Sequence, residues 1–428
     1  MSHHLLQMCG LLLSPWMREV FIIGVGMTPF GVHTDLSVAE MGRRAVTTAL
    51  ADAGAQPDDI EATFYANTAQ GAIEGQHGIK GQHALRPIGI QGGSFVNVEN
   101  ACTGGSTAFN LAFAQVAGGF ADVALAVGSE KLNTEDKAKK LAAFGQPEDL
   151  AQVTAFVEGH MGRVADVLPP PDAVIDERIR SIFMDAYAVN ARLHMKKYGT
   201  TWRQIAAVAA KNHHHSTMNP LAQFQKDFTI EQVLAGRIIA WPLTLPMCAP
   251  VSDGAAAVVV CSREALRRFD GAGPVRVVAS ALRAGLDRDL EDIEKSALRR
   301  AARTAFDMAG MTPADISVAE VHDASAYAEI NQVELSGLIE VGKGGPAAES
   351  GETSLGGRIP VNPSGGLESK GHPVAATGIG QLHELTLQLR GEAGARTVQG
   401  AHNALACCSG GFWGVEDAAS CVTILTRV

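Results

Sequence analysis

The sequence lacks the cysteine and histidine spacings that mark metal sites and disulfide frameworks. Its seven cysteines are scattered over 428 residues, and only Cys407 and Cys408 are neighbours. No CxxC motif or Cys/His ligand spacing occurs, which argues against a disulfide scaffold or a zinc site. Scattered thiols fit a reducing compartment, so we predict a cytoplasmic protein without a bound metal.

Long apolar segments and an excess of positive charge are absent too. No apolar run reaches the ~18 residues of a membrane-spanning helix. The first twenty residues lack the basic start and the small-residue cleavage site of a signal peptide. The formal charge of −10 disfavours nonspecific binding to nucleic acid. An anionic substrate would therefore need a local cluster of basic side chains.

The chain does contain an internal repeat. The segments Ala45–Tyr65 (AVTTALADAGAQPDDIEATFY) and Ala301–Val321 (AARTAFDMAGMTPADISVAEV) share Ala, Thr, Gly, Pro, Asp and Ile at a constant offset. Each segment predicts a helix that ends at a glycine, Gly54 or Gly310, followed by a proline turn and a strand. Two copies indicate two homologous halves rather than a solenoid.

Strands that alternate with helices predict an α/β fold with mostly parallel, buried strands. We assign residues 17–265 to an N-terminal half and residues 274–428 to a C-terminal half, and we interpret residues 1–16 as an N-terminal extension. Between 131 and 250 the pattern changes to charged helical and loop-rich sequence. This change predicts an inserted domain that covers a site.

Cys102 draws attention because it separates a strand-like run from a small-residue helix start in VNVENACTGGSTAFN. A helix N-terminus lowers the pKa of a thiol, although a buried structural cysteine would fit the same glycines. Partners for a nucleophilic thiol occur at strand ends or in glycine-rich loops: His322 in EVHDASA, His372 in SKGHPVAATG, and Cys407 and Cys408 in NALACCSGGFWG. A cysteine nucleophile needs such proton-transferring groups.

Other interpretations of these residues stay open at this point. His322 could merely cap the next helix or satisfy a buried carbonyl. Cys407 and Cys408 are adjacent and point in different directions, so at most one belongs to the site. The consecutive histidines His213–His215 cannot easily converge on one metal ion. Together with Lys211 they could instead supply donors for phosphates.

Taken together, ENACTGGS, KNHHHSTMNP, SDGAAA, VHDAS and NPSGGLESKGHPVAATG resemble the thiolase superfamily, specifically its sterol-carrier-protein-2 type. The resemblance covers everything after Met17. It implies a duplicated, five-layered α-β-α-β-α fold with a loop domain inserted in the first half. It also implies an acyltransferase that cleaves a 3-oxoacyl-CoA with coenzyme A (CoA), or runs the reverse Claisen condensation. CoA is then a substrate, and no metal or bound cofactor is needed.

The resemblance implies a role for each matching residue. Cys102 would carry the acyl group as a thioester, and His372 would take the proton of its thiol. His322 and His372 would face the thioester oxygen of the substrate. The N–H groups of Cys102 and Gly410 would form a second oxyanion hole, in which loss of one donor typically costs ~3 kcal/mol of barrier.

Two positions depart from the pattern of the family. Ala324 stands where many members of this subtype carry a second acid/base, a cysteine directly after HD, and Ala375 replaces a usual glycine. A thiol suits a site that both gives and takes a proton. The likeness to the C-terminal thiolase motif predicts that Cys408, rather than Cys407, fills this role.

The expected partners are acyl-CoA and CoA, further copies of the chain in a homodimer or a dimer of dimers, and a small OB-fold protein that channels CoA. We predict that Lys211 and His213 in the inserted domain contact CoA, because an acidic protein needs local positive charge for this anion. Two rival functions stay open. One is an aldolase or ketosynthase of the same fold on steroid or polyketide chains, and the other is a non-catalytic subunit that binds acyl-CoA.

Overall fold

The computed structural model describes residues 17–144, 147–171, 173 and 181–428, so the predicted N-terminal extension at 1–16 lies outside the described residues. The strands are β1 (Val20–Met27), β2 (Ala62–Ala66), β3 (Ser94–Val98), β4 (Val123–Glu130), β5 (Ile238–Ala240), β6 (Leu243–Thr244), β7 (Gly254–Ser262), β8 (Val275–Ala284), β9 (Val318–Glu320), β10 (Asn403–Gly410) and β11 (Ala419–Arg427). The α-helices are α1 (Val38–Ala53), α2 (Gln70–Glu74), α3 (Lys80–Leu85), α4 (Gly104–Ala117), α5 (Lys137–Phe144), α6 (Pro147–Met161), α7 (Ile182–Tyr198), α8 (Trp202–Ser216), α9 (Ile230–Leu234), α10 (Ala297–Ala309), α11 (Ala326–Leu335), α12 (Gly344–Glu349) and α13 (Thr377–Arg390). Among these described helices, none is long and apolar enough to cross a membrane.

Nine of the strands form one mixed sheet in the order β3-β2-β4-β7-β1-β8-β11-β10-β9. The order consists of two similar halves, joined where Val20–Ile22 of β1 pair with Val275–Val277 of β8. Only β2–β3, β2–β4 and β9–β10 are parallel pairs, and the others are antiparallel. The expectation of mostly parallel strands is therefore wrong. Continuous apolar runs such as those of β1 and β7 report burial on both faces and not strand direction.

The helices and the sheet form five layers, as predicted. Helices α4 and α13 lie between the two halves of the sheet, where Phe109 and Ile379 are buried among apolar side chains of both halves. Helix α1 covers the outer face of the first half, and α10 covers the outer face of the second. The main core therefore surrounds the central pair of helices, directly behind the turn that carries Cys102.

The internal repeat is confirmed as a repeated helix, turn and strand. Helix α1 begins after Ser37 and ends before Gly54, and α10 begins after Ser296 and ends before Gly310. The two glycines have φ angles of 66° and 62°, a left-handed conformation that glycine adopts at little cost. Each helix is followed by a proline-containing 3₁₀ turn and then by β2 or β9. Shared caps thus stop both helices at equivalent points.

The chain between β4 and β7 contains helices α5 to α9 and the β5–β6 hairpin. Helix α8 packs its apolar face against the second half of the molecule, where Ile205 and Val208 share a buried cluster with Ile330. This segment lies beside the cavity described next. The domain boundaries proposed from the sequence stay a prediction.

Candidate active site

Cys102 is held in a short turn between β3 and α4. The turn spans Ala101–Thr103, and Cys102 lines a cavity of about 1160 Å³. Ala101 has a φ of 46°, in the left-handed region that costs a residue with a side chain about 1–3 kcal/mol. The fold accepts this strain where the chain bends from the strand into the helix. The bend leaves Cys102 at the cavity wall.

Two histidines from the second half of the chain meet Cys102 at this wall. His322 follows β9, and His372 lies in the loop that precedes α13. The Cys102 sulfur and one ring nitrogen of each histidine all lie within 4.8 Å of one another. The two imidazoles meet edge to face, with ring centroids 5.2 Å apart. The structure therefore brings together the three residues that the sequence predicted to act together.

Hydrogen bonds orient the two imidazoles. Nδ1 of His372 lies 2.7 Å from Thr377 Oγ1, and the His372 backbone N–H donates to Ser252 Oγ at 2.8 Å. These contacts leave Nε2 of His372 for Cys102 or a substrate. Nε2 of His322 is buried and has no partner among the described residues. A buried donor without a partner costs free energy unless a ligand satisfies it.

Burial sets the charge state of the site. Loss of water lowers the pKa of His322 to about 4. Burial and, secondly, the nearby His322 lower the pKa of His372 well below its ordinary value. Both imidazoles are neutral at pH 7. Burial raises the pKa of the Cys102 thiol to about 12, with the charge of Asp417 as the next cause.

The expectation of a lowered thiol pKa at the start of the helix is therefore wrong. The favourable field of a helix N-terminus is typically worth about 1 kcal/mol or less. The desolvation of a thiolate at this wall outweighs that field. Cys102 is therefore a protonated thiol at rest, and a nucleophilic role for it would require a base at the moment of reaction.

The end of β10 approaches the Cys102 turn very closely. A Cβ placed on Gly410 would lie 2.5 Å from the backbone nitrogen of Thr103 and 2.7 Å from that of Cys102. Thr103 Oγ1 also donates to the carbonyl of Ala419 at 3.1 Å, which ties the turn to the start of β11. Only glycine fits at position 410, and its backbone lies beside the N–H of Cys102. The two predicted oxyanion-hole donors are thus neighbours.

Cys408 lies beside Cys102 but does not line the described cavity. Its thiol donates to the backbone carbonyl of Cys102 at 3.2 Å, and the residue is buried. Burial first, and Cys102 second, raise the pKa of Cys408 well above its ordinary value. Cys407 faces the core beneath α10. The predicted acid/base role of Cys408 therefore has no support from its placement.

The expectation that Lys211 and His213 contact CoA needs correction. Lys211 Nζ forms an ion pair with Glu329 at 2.6 Å and donates to the Val361 carbonyl at 2.8 Å. The side chain of Lys211 is 3% exposed and that of Glu329 is 2% exposed. His213 is buried against Pro246 O and Ser369. Neither residue lines the described cavity. The polar run KNHHHS lies in an amphipathic helix that turns these two side chains inward.

The described cavity wall carries other basic side chains, namely Arg163, Lys196, Lys197, Arg237 and Arg288. The Arg288 side chain is buried and forms an ion pair with Glu416 at 2.7 Å, so its role in the cavity wall is structural. Lys196 pairs with Asp166 at 2.8 Å while both side chains remain largely exposed to water. Exposed pairs of this kind are weak and exchange readily for an anionic ligand. Positive charge thus reaches the cavity from this rim.

Sequence analysis missed three polar residues on the same wall. Tyr187 belongs to α7, Gln332 to α11, and Asp417 to the turn before β11. Burial raises the pKa of Tyr187 well above its ordinary value, with Asp417 as the next cause. No motif marks these residues, because they come from three separate elements that only the folded chain brings together.

The fold and the site define a thiolase-type acyltransferase. The family model of the thiolase N-terminal domain matches residues 20–233, and that of the thiolase C-terminal domain-like family matches residues 280–427. The chain belongs to the thiolase family. It is similar to an acetyl-CoA acetyltransferase of Methanothermobacter thermautotrophicus, with 39% identity over 93% of this chain and 98% of that protein.

Two further relatives support the family, and two solved structures share its fold. Human sterol carrier protein 2 is 34% identical over 92% of this chain and 70% of its own length. The benzoylsuccinyl-CoA thiolase subunit BbsB of Thauera aromatica is 33% identical over 88% of this chain and 90% of its own. Among solved structures, the Ltp2-ChsH2(DUF35) aldolase has a TM-score of 0.75 at 22% identity, covering 96% of this chain and 98% of that one. Human mitochondrial 3-ketoacyl-CoA thiolase has a TM-score of 0.66 at 17% identity, covering 96% and 100%.

Proposed function

We propose that the chain cleaves a 3-oxoacyl-CoA with CoA, or runs the reverse Claisen condensation, through an acyl group carried on Cys102. The observation that carries the proposal is the placement of one thiol and two neutral imidazoles within 4.8 Å at a large cavity. The relatives whose names contain acetyl-CoA and benzoylsuccinyl-CoA support CoA thioesters as substrates. CoA acts as a substrate in this proposal, which includes no bound cofactor.

In thiolysis, the sulfur of Cys102 attacks the 3-oxo carbon while His372 takes the thiol proton. The bond between C2 and C3 breaks, and its electron pair forms the enolate of acetyl-CoA. The N–H groups of Cys102 and Gly410 receive the charge on the attacked carbonyl oxygen, and His322 and His372 receive that on the enolate oxygen. After protonation of the enolate, a CoA thiol takes the acyl group from Cys102.

The basic rim of the cavity supports a place for the phosphates of CoA. Arg163, Lys196 and Lys197 line the described wall, and the first two pair with the exposed carboxylates of Glu291 and Asp166. A phosphate with two or more charges competes well for such side chains. We therefore propose that CoA enters with its phosphates at this rim and its thiol toward Cys102.

Partner proteins belong to the same proposal. Strand β3 ends the sheet with an open edge, and Val96 on it is exposed, which supports pairing with a second copy of the chain. The name of the Ltp2-ChsH2(DUF35) aldolase joins two proteins and supports a further partner of DUF35 type. A cytoplasmic location is part of the proposal and follows from cysteine usage alone.

Intact-mass analysis tests the function. Incubation with acetyl-CoA is expected to add one acetyl group per chain, and Cys102→Ala is expected to add none. The matched control is Cys248→Ala, which removes another thiol on the cavity wall and should acylate like the unmodified chain.

Product analysis separates the rival chemistry. Cleavage of acetoacetyl-CoA should require free CoA and yield two acetyl-CoA molecules, because the acyl group must leave Cys102. Cleavage that proceeds without CoA, or acylation that persists in Cys102→Ala, would contradict the proposal. A chain that binds acyl-CoA but gains no acetyl group would be a non-catalytic subunit.

A further inference from the structure

The proposed reaction leaves one proton transfer without a residue. An acid/base group must take a proton from the carbon next to the thioester of acetyl-CoA and return it. Ala324 lines the cavity but has no titratable group. Cys408 does not line the cavity and gives its S–H to the carbonyl of Cys102. His322 and His372 are directed to the substrate oxygens and to the proton of the Cys102 thiol.

We propose that Asp417 is the catalytic acid/base that moves this proton. The inference rests on the function proposed above and adds to it the identity of the second acid/base. Asp417 is half-buried and lines the same cavity wall as Cys102, His322 and His372. It occupies the turn between β10 and β11.

Two contacts fix this turn against the nucleophile. Gly410 precedes the turn and lies against the backbone of Cys102, and Ala419 follows it and accepts the hydrogen bond of Thr103 Oγ1 at 3.1 Å. Asp417 lies between these two anchors. Its carboxyl group exerts the largest effect of any charge on Cys102 and also on Tyr187. The two anchors and the shared cavity wall therefore place Asp417 on the side of the site where an acyl group on Cys102 would lie.

A hydrogen-bonded chain of buried side chains lies next to the carboxyl group. The hydroxyl of Ser409 lowers the pKa of Asp417 and is therefore a neighbour of its carboxyl group. Ser409 Oγ in turn receives a hydrogen bond from Gln332 Nε2 at 3.1 Å and lies 2.8 Å from Ser420 Oγ. Ser409, Gln332 and Ser420 are all buried, so these contacts are protected from water. Supporting shells of this kind hold catalytic groups in a productive orientation.

The proton affinity of Asp417 suits the role that its position indicates. Burial raises the pKa of Asp417 to about 7, against a smaller opposing effect of the Ser409 hydrogen bond. A group with a pKa near the working pH is the most efficient acid and base in both directions. Tyr187 and Cys408 do not share this property, because burial raises the pKa of each well above its ordinary value.

The step balances in protons and electrons. The Asp417 carboxylate takes a proton from the methyl carbon of acetyl-CoA, and the C–H electron pair forms an enolate whose oxygen faces His322 and His372. In heavy water the Asp417 carboxyl exchanges its proton for a deuteron and returns it to the carbon. In condensation the enolate carbon instead attacks the acetyl group on Cys102. The new C–C bond forms, the C–S bond to Cys102 breaks, and its electron pair leaves on sulfur. The sulfur regains its proton through His372, the group that takes this proton in thiolysis.

Deuterium exchange into acetyl-CoA tests the assignment. Asp417→Asn is expected to lower the exchange of the methyl protons at least 100-fold, while intact mass still shows an acetyl group on Cys102. Asp417→Glu keeps a carboxylate and should restore part of the exchange. Glu99→Gln is the matched control, because Glu99 also acts on Cys102 by charge but does not line the cavity. It should exchange within about threefold of the unmodified chain.

Two comparisons can overturn the assignment without touching the proposed function. The role of Asp417 would be refuted if Asp417→Asn exchanged the methyl protons at the full rate. It would also be refuted if Cys408→Ala lost this exchange while Asp417→Asn retained it. The unmodified chain should exchange faster as the pH rises through about 7 and then level off. A rate that is the same on both sides of this pH would also refute it. Absence of both acylation and exchange in the unmodified chain would instead contradict the proposed function.

Discussion

At the scale of single residues, the proton on Cys102 decides how the site can work. The thiol has a pKa of about 12 because the wall around it excludes water and Asp417 adds negative charge. The neighbouring imidazoles are neutral, since burial lowers their pKa values. A preformed thiolate–imidazolium pair is therefore disfavoured in the free site. In the proposed reaction, proton transfer to His372 must therefore accompany the attack of Cys102 on the substrate.

This charge state predicts slow alkylation of Cys102 in the free chain. A thiol with a pKa of about 12 is ionised to only about 1 part in 10⁴ at pH 8. The rate of Cys102 alkylation by iodoacetamide should therefore rise about tenfold per pH unit up to about pH 10. Peptide mass analysis can follow Cys102, with Cys102→Ala as the background. A rate that is already constant between pH 6 and pH 8 would show a stabilised thiolate.

At the scale of secondary structure, the pairing of α4 with α13 places the catalytic turns. A Cβ on Gly105 of α4 would collide with the backbone carbonyl of Ala375, which lies just before α13. His372 lies three residues before Ala375 on the same segment. Gly105 therefore lets the loop that carries His372 approach the Cys102 turn closely. Gly104, by contrast, meets only the Ala66 methyl at an ordinary 3.6 Å.

Adjacent glycines on α4 should thus differ sharply on substitution. Gly105→Ala is expected to lower the free energy of unfolding by about 1–3 kcal/mol through overpacking, and to slow acylation because the His372 loop moves away. Gly104→Ala is the matched control, and it should be neutral or slightly stabilising because alanine favours a helix. Thermal unfolding and acetylation of both variants provide the measurement. Equal behaviour of the two would contradict the close approach of α4 and the His372 loop.

At the scale of the whole molecule, a buried polar cluster joins the segment between β4 and β7 to the second half of the chain. Lys211 pairs with Glu329, and Asn212 Nδ2 donates to Asp323 and Glu329 at 3.0 Å each. Burial and neighbouring carboxylates raise the pKa values of Asp323 and Glu368 well above the ordinary range. Since Asp323 follows His322 directly, the cluster also anchors His322 at the cavity wall.

Lys211→Met should therefore act on stability. It leaves the Glu329 carboxylate buried without its cation, a change that typically costs about 3–5 kcal/mol. Lys226→Met, on an exposed part of the chain, is the matched control and should change the unfolding midpoint little. Adding Glu329→Gln to Lys211→Met should recover part of the loss. Unchanged stability with a raised Michaelis constant for CoA would instead restore Lys211 as a CoA-binding residue.

The sequence by itself determined the features that neighbouring residues control. Local backbone preferences and periodic burial determine the helix caps at Gly54 and Gly310. They also determine the duplicated helix–turn–strand unit and the order of strands and helices. Those preferences appear in a short window of sequence. The motifs around Cys102, His322 and His372 were recognisable for the same reason, because each lies in one contiguous glycine-rich or strand-end segment.

Only the tertiary structure decided the features that depend on what surrounds a residue in space. Several such features involve partners far away in the chain. They are the antiparallel pairing within the large sheet, the raised pKa of Cys102, the ion pair of Lys211 and the cavity position of Asp417. Desolvation and charge act through the folded environment and leave no trace in spacing or composition. A lysine in a polar run can thus be buried, and an aspartate in an unremarkable turn can reach the active site.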